Sequence, residues 1–172
     1  MSEIQLSLDN SRTFELRSRP TMIYLERPHD FNPKYNVVGC FCEQEGKFLL
    51  LCRQDFKPQG NTWGCPAGKM EAGETPLHAI CRELAEETGV GTDPASLTLS
   101  HTLFVRHTDY DLIYYMFHLL LDKGASIVID HRSHKNFRWV TPQEALLLPL
   151  IHDLDSCIKL RYSDIGCPPA AV

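Results

Sequence analysis

Three glutamates near the middle of the chain, Glu83, Glu86 and Glu87, are placed to do chemistry together. Each helical residue advances the side chain by about 100°, so these carboxylates fall on one face and Leu77, Ile80, Cys81 and Leu84 on the adjoining one. Acids three and four residues apart repel, and a hard divalent cation such as Mg²⁺ relieves that repulsion while leaving coordination sites for phosphate oxygens. A plain solvated acidic face has the same spacing. The segment just before it, Pro66-Ala67-Gly68-Lys69-Met70-Glu71-Ala72-Gly73-Glu74, favours the first reading, because glycine lets backbone approach a ligand and a helix N-terminus attracts anions.

The elements that position this group are legible around it. Thr75-Pro76 is a helix start, with threonine as N-cap and proline at the first helical position, and Gly89 is the stop. Ahead of it, Val37–Glu43 and Lys47–Arg53 form a hairpin across Glu45-Gly46, followed by a polar loop to Trp63. Behind it, Leu97–Arg106 and Leu112–Leu121 are predicted strands joined near Thr108-Asp109, with Ile127–Ile129 and Phe137–Val140 as shorter ones. Thr141-Pro142 repeats the cap-and-proline signal, predicting helices over Pro142–Leu148 and about Leu150–Tyr162. Residues 1–36 carry candidate strands at Thr13–Arg17 and Met22–Glu26, residues 37–165 form the main domain, and 166–172 are a tail. Strands outnumber helices, which predicts an α+β fold: an α/β/α sandwich with a mixed sheet.

Composition bounds the rest. The chain has 172 residues, enough for one domain with a hydrophobic core, and its 43% hydrophobic and 23% charged content is that of a folded protein. A net charge of −5 argues against broad nucleic-acid binding. The longest apolar run, Leu112–Leu121, is broken by His118 and is well short of the roughly 20 residues a membrane span needs. No hydrophobic block marks residues 1–20 as a signal peptide, and seven cysteines, an odd number, suggest reduced thiols in a cytoplasm. Cys40-x-Cys42 and His131-x-x-His134 lack a second pair at zinc-site spacing, and no P-loop motif is present.

The pattern Gly68, Glu74, Arg82-Glu83-Leu84, Glu86-Glu87 and Gly89-Val90 resembles the Nudix box, the signature of the Nudix hydrolases, with every specified position filled. Seven fixed identities at about 7% each, with two apolar positions, would coincide on the order of once in 10⁹ windows, which removes chance as an explanation. The resemblance implies a Nudix sandwich whose loop–helix–loop holds Mg²⁺, or Mn²⁺ in its place, beside a diphosphate. By position, Glu86 and Glu87 would be metal ligands, with the Ala67 carbonyl as a backbone ligand, and Glu83 a further ligand or the base that orients water. Glu74 and Arg82 would pair to brace the loop, while Gly68 and Gly89 would permit its turns. Ala67 stands where many members have glycine, a change that preserves the carbonyl.

The implied reaction is hydrolysis of a nucleoside diphosphate linked to a group X, such as ADP-ribose or a non-standard nucleoside triphosphate, to a nucleoside monophosphate and phosphorylated X. The alternatives are a Nudix-fold module that senses a nucleotide without turnover and an acidic helix that docks a basic partner. Arg53 and Lys69 are candidate phosphate contacts, and Phe31, Tyr35, Phe41, Tyr110 and Tyr114 are candidate base-stacking groups. Asp109, Asp111, Asp122 and Glu144 are acids available outside the box. Val105 occupies the position where many ADP-ribose hydrolases carry proline, and His107 that where many dinucleoside polyphosphate hydrolases carry tyrosine, so neither label applies. Trp63 ahead of Pro66-Ala67-Gly68-Lys69 is similar to the branch that sanitises nucleoside triphosphates. The N-terminal extension is expected to cover a sheet edge or to supply a homodimer interface.

Overall fold

The computed structural model describes residues 21–163. Eight strands and three helices follow in chain order: β1 (Met22–Tyr24), β2 (Pro33–Gln44), β3 (Lys47–Arg53), β4 (Trp63–Gly64), β5 (Ala67–Lys69), α1 (Pro76–Thr88), β6 (Thr98–Arg106), β7 (Asp111–Leu120), β8 (His134–Val140), α2 (Pro142–Ala145) and α3 (Leu154–Arg161). The strands run β1-β6-β7-β2-β3-β4, with β5 paired to β2 and β8 to β3. The sheet is mixed, since β2 and β7 are parallel from Pro33↔Asp111 to Glu43↔Leu120 while the other pairings between strands are antiparallel. The fold is thus the α+β sandwich that the order of elements predicts.

The expected hairpin is present only at its tip. β2 and β3 share Glu43↔Phe48 and Gln44↔Lys47 and then part, β2 to lie between β7 and β5, and β3 to lie between β4 and β8. The divergence opens the sheet beside the Nudix-like segment. Residues of β3 alternate between two cores: Phe48, Leu50 and Cys52 pack with Phe41, Leu103, Met116 and α3, whereas Leu49 and Leu51 pack with Val38, Cys40 and the Ile80–Leu84 face of α1. The run Phe48–Leu51 is fully buried, as a strand covered on both faces should be.

At the N-terminus, β1 pairs antiparallel along the edge of β6, and Thr13–Arg17 lies outside the described residues, as does the tail. Three expectations need correction. Ile127–Ile129 is not a strand; the N–H groups of Val128 and Asp130 go instead to the carbonyls of Thr88 and Glu87, satisfying acceptors that the end of α1 leaves open. The helix from Pro142 stops at Ala145, because Leu147 and Leu148 tighten into a three-residue turn before Pro149. The last helix starts at Leu154 rather than Leu150, since Trp63 takes Leu150 and Ile151 into a bridge (Trp63 N–H to Pro149 O 2.8 Å, Ile151 N–H to Trp63 O 2.9 Å).

Candidate active site

The carboxylate helix is capped as its sequence requires. The Thr75 hydroxyl accepts the His78 N–H, Pro76 opens α1, and Gly89 closes it at φ 68° with its N–H on Ala85 O. The helix is thereby fixed against β5, and the three glutamates meet three different surroundings.

Glu83 is buried and lies directly over Gly68. A Cβ at residue 68 would fall 1.9 Å from its Oε1. This corrects the expected role of Gly68: the residue is in β5, paired with Val38, and its missing side chain makes room for a carboxylate, not for a turn. The loop turns at Gly73, where φ is 83°. Burial pushes the Glu83 carboxyl up, partly opposed by Arg82, whose Nη1 donates to Glu83 Oε1 at 2.7 Å.

Arg82 ties the assembly together. Its Nε and Nη2 reach the two Glu74 oxygens at 2.8 and 2.9 Å, Nη2 also reaches Lys69 O at 3.1 Å, and Nη1 also reaches Glu86 Oε2 at 3.3 Å. The hydrogen bonds from Arg82, with that from the Glu71 N–H, hold the Glu74 carboxyl at about 2. Glu86 is the most exposed of the three acids, with 59% of its side chain open to solvent.

Glu87 is also mostly covered, with 14% of its side chain exposed. Its Oε2 accepts the Ala67 N–H at 2.9 Å, and its other oxygen is 3.8 Å from His134 Nε2. Burial pushes Glu87 up to about 8; the Ala67 N–H and the Arg53 charge oppose it, while Glu83 and Asp130 add to it. His134 is pushed down to about 4, first by burial and then by Arg53. The imidazole is therefore neutral at neutral pH, and the 3.8 Å separation is neither an ion pair nor a hydrogen bond. His134 Nδ1 is buried without a hydrogen-bond partner among the described residues. The sequence reading weighed this histidine only as half of a zinc pair; it reaches Glu87 because β8 pairs with β3, setting His134 beside Arg53, a contact no local signal carries.

Arg53 anchors its Nε on Pro58 O at 2.9 Å and its charge is felt at Glu87. The Lys69 ammonium is 3.7 Å from the centroid of the Tyr35 ring, which also stands edge-on to Tyr110. Of the other aromatic candidates, Phe31 packs on Phe104, Phe41 on Phe48 and Tyr162, and Tyr114 fills the space over Gly39. Asp111 is held by Arg106 and the Asn32 N–H, and Glu144 completes the capping box of α2.

Among the described residues, no three acid, histidine or cysteine side chains converge into a ready-made ligand cluster, because Glu83 and Glu86 turn to Arg82 and Glu87 to the Ala67 N–H. The donor set still fits a hard divalent cation. All three groups are carboxylates on one helix face, and Gly68 leaves the space beside Glu83 free of a side chain.

The NUDIX domain family model matches residues 33–160. A CTP pyrophosphohydrolase of Escherichia coli K12 is 31% identical over 114 residues, covering 66% of this chain and 81% of that protein. The solution structure of the E. coli ORF135 protein superposes with a TM-score of 0.64 at 24% identity, over 80% of this chain and 94% of that one. The NUDIX domain of Shewanella oneidensis NrtR, complexed with ADP-ribose, gives a TM-score of 0.64 at 21% identity over 82% and 94%. With the box residues gathered between α1 and β5 and the family match spanning most of the fold, this chain belongs to the Nudix family of pyrophosphohydrolases.

Proposed function

We propose that the protein hydrolyses the diphosphate linkage of a nucleoside diphosphate derivative, a nucleoside triphosphate or nucleotide sugar, in a Mg²⁺-dependent reaction, with Mn²⁺ as substitute. The observation that carries this reading is the seating of Glu83 and Glu87 on the bare backbone of Gly68 and the N–H of Ala67, with Glu86 beside them at the surface. Glu83, Glu86 and Glu87, with the Ala67 carbonyl, would hold the cation. Bound there, it supplies screening of the phosphoryl oxygens and acidification of a water. The chain does the rest by position. Arg82 spreads its charge over Glu74, Glu83 and Glu86 and keeps the acids apart. Arg53 retains further N–H donors for a phosphoryl oxygen, and Lys69 on β5 offers a second cation. Glu83, raised by burial and, to a lesser degree, by the neighbouring charges of Glu86 and Glu74, is suited to take a proton from the attacking water.

The six described cysteines are free thiols, which supports a reducing, cytoplasmic setting. No helix among the described residues is long and apolar enough to cross a membrane.

The test is a screen of nucleoside triphosphates, nucleotide sugars and dinucleoside polyphosphates for diphosphate cleavage with and without Mg²⁺, repeated with E86Q and E87Q. Metal-dependent turnover that falls by at least about a hundredfold in both variants is expected. An unchanged rate in both removes the mechanism, and nucleotide-induced thermal stabilisation without turnover selects the nucleotide-sensing module instead.

A further inference from the structure

Strand β8 carries one extra residue where it passes the end of β3. Cys52 pairs with Asn136 and Arg53 with His134, so Lys135 bulges out of the ladder. Side chains alternate along a strand, and Phe137 and Trp139 pack in the core on the α1 side while Val140 packs in the other. Continued without the bulge, that alternation would turn Lys135 toward α1 and His134 away from it. The extra residue reverses the parity: His134 is 4% exposed and lies against Glu87, and the Lys135 ammonium pairs outside with Asp55 and Asn61. Bulges of this kind re-aim side chains beside active sites.

The backbone at this point is held from both sides. The His134 N–H donates to Asp130 O at 2.9 Å, its carbonyl accepts Gln54 Nε2 at 3.5 Å, and the Gln54 N–H donates to Ser133 O at 2.9 Å. The imidazole is thereby fixed next to one particular oxygen of Glu87. Oε2 of that carboxylate is taken by the Ala67 N–H, whereas Oε1, 3.8 Å from His134 Nε2, has no hydrogen bond among the described residues. A proton on Nδ1 would be a buried, unpaired donor and would set the Nε2 lone pair against the carboxylate; a proton on Nε2 faces an acceptor.

Building on the proposed function, we infer that His134 is a positioning residue for Glu87, its Nε2–H holding Oε1 when the site takes up a divalent cation and giving the carboxylate one defined orientation. The step from 3.8 Å to a normal hydrogen bond is under about 1 Å, an ordinary side-chain displacement. Hydrogen bonds of this kind, made to a ligand rather than to the metal, are worth about 10–100-fold in metal affinity. The residue type matters as much as its place. A neutral imidazole donates without adding charge, whereas the lysine that an unbulged strand would turn inward would compete with the cation for Glu87. His134 itself touches neither substrate nor metal.

The experiment measures Mn²⁺ binding to the nucleotide-free protein by electron paramagnetic resonance in the wild type, H134F and H134Q, with thermal melts to verify each fold. Phenylalanine fills the space without a donor, and glutamine returns an N–H close to the Nε2 position. H134F should weaken Mn²⁺ binding by about 10–100-fold, and H134Q should recover it to within about threefold of the wild type. Long-range ¹H–¹⁵N NMR of the metal-free wild type reads the tautomer in parallel; the proton is expected on Nε2, with a resonance that moves in E87Q. Wild-type affinity in H134F overturns the inference and leaves the hydrolase reading intact. A loss as large in H134Q as in H134F marks a packing effect and overturns it too. If the wild type binds no Mn²⁺, the metal-dependent reading fails; in that case, or if H134F does not fold, His134 is judged by its proton. On Nε2 and sensitive to E87Q, the proton sustains the inference; on Nδ1, or indifferent to E87Q, it sinks it.

Discussion

Glu83 rests on Gly68 so closely that any side chain at 68 would overlap its carboxylate carbon, 2.0 Å from where a Cβ would be. G68A should therefore displace Glu83, with a fall in kcat of at least about a hundredfold. Overpacking should also cost about 1–3 kcal/mol of stability. Steady-state kinetics beside denaturant unfolding separate the two, and wild-type kcat in a folded G68A would contradict this account.

Arg82 makes its contacts through a planar fork that lysine lacks. R82K should keep the charge but reduce kcat by about tenfold or more, and E74Q should do likewise. Because the two side chains act as one unit, the double variant should be little worse than either single one. Fully additive losses in a double-mutant cycle would show that Glu74 and Arg82 act separately.

Removal of divalent cations is the third test. Dialysis against a chelator should abolish turnover, and Mg²⁺ or Mn²⁺ should restore it. In the absence of nucleotide, added Mn²⁺ should raise the melting temperature of the wild type by mass action on the folded state, and less so that of E87Q. Equal shifts in both would place the cation elsewhere.

A fourth prediction concerns acid stability away from the site. Burial would raise the Glu43 carboxyl, but hydrogen bonds to His118 and Tyr162 and the charge of Arg161 outweigh it, leaving Glu43 below its ordinary 4.5. Tyr162 Oη and Arg161 Nη2 meet Glu43 Oε1 at 2.7 and 3.1 Å, tying the end of α3 to β2. A carboxyl depressed on folding adds stability above its unfolded pKa and loses it as pH falls through the folded one. Wild-type melting temperature should drop more steeply than that of E43Q below about pH 4.5. Parallel curves would mean that this cluster contributes nothing to folding.

How far the sequence foretold this molecule depends on the range of the interaction concerned. Thr75, Pro76 and Gly89 act within one helix, so its limits were readable to the residue. The strands of β6 and β7 were readable within about one residue because their periodicity is local. The parting of β2 from β3 was not, since it depends on β7, β5, β4 and β8 arriving from far along the chain. The same limit hid the site's finer parts. The resemblance to the box gave Gly68 a turn, and only the packing of α1 on β5 makes it a seat for Glu83. Ile127–Ile129 has strand-forming residues, yet its amides are claimed by the end of α1.

The parallel pairing of β2 with β7 also dictates when the protein can become itself. During synthesis β2 emerges early, but the neighbour that completes its hydrogen bonds is made only after the box helix and β6. Until Leu120 leaves the ribosome, the cluster around Val38 and Cys40 lacks Phe117 and Leu119, so a nascent chain halted before β7 should remain open to proteases.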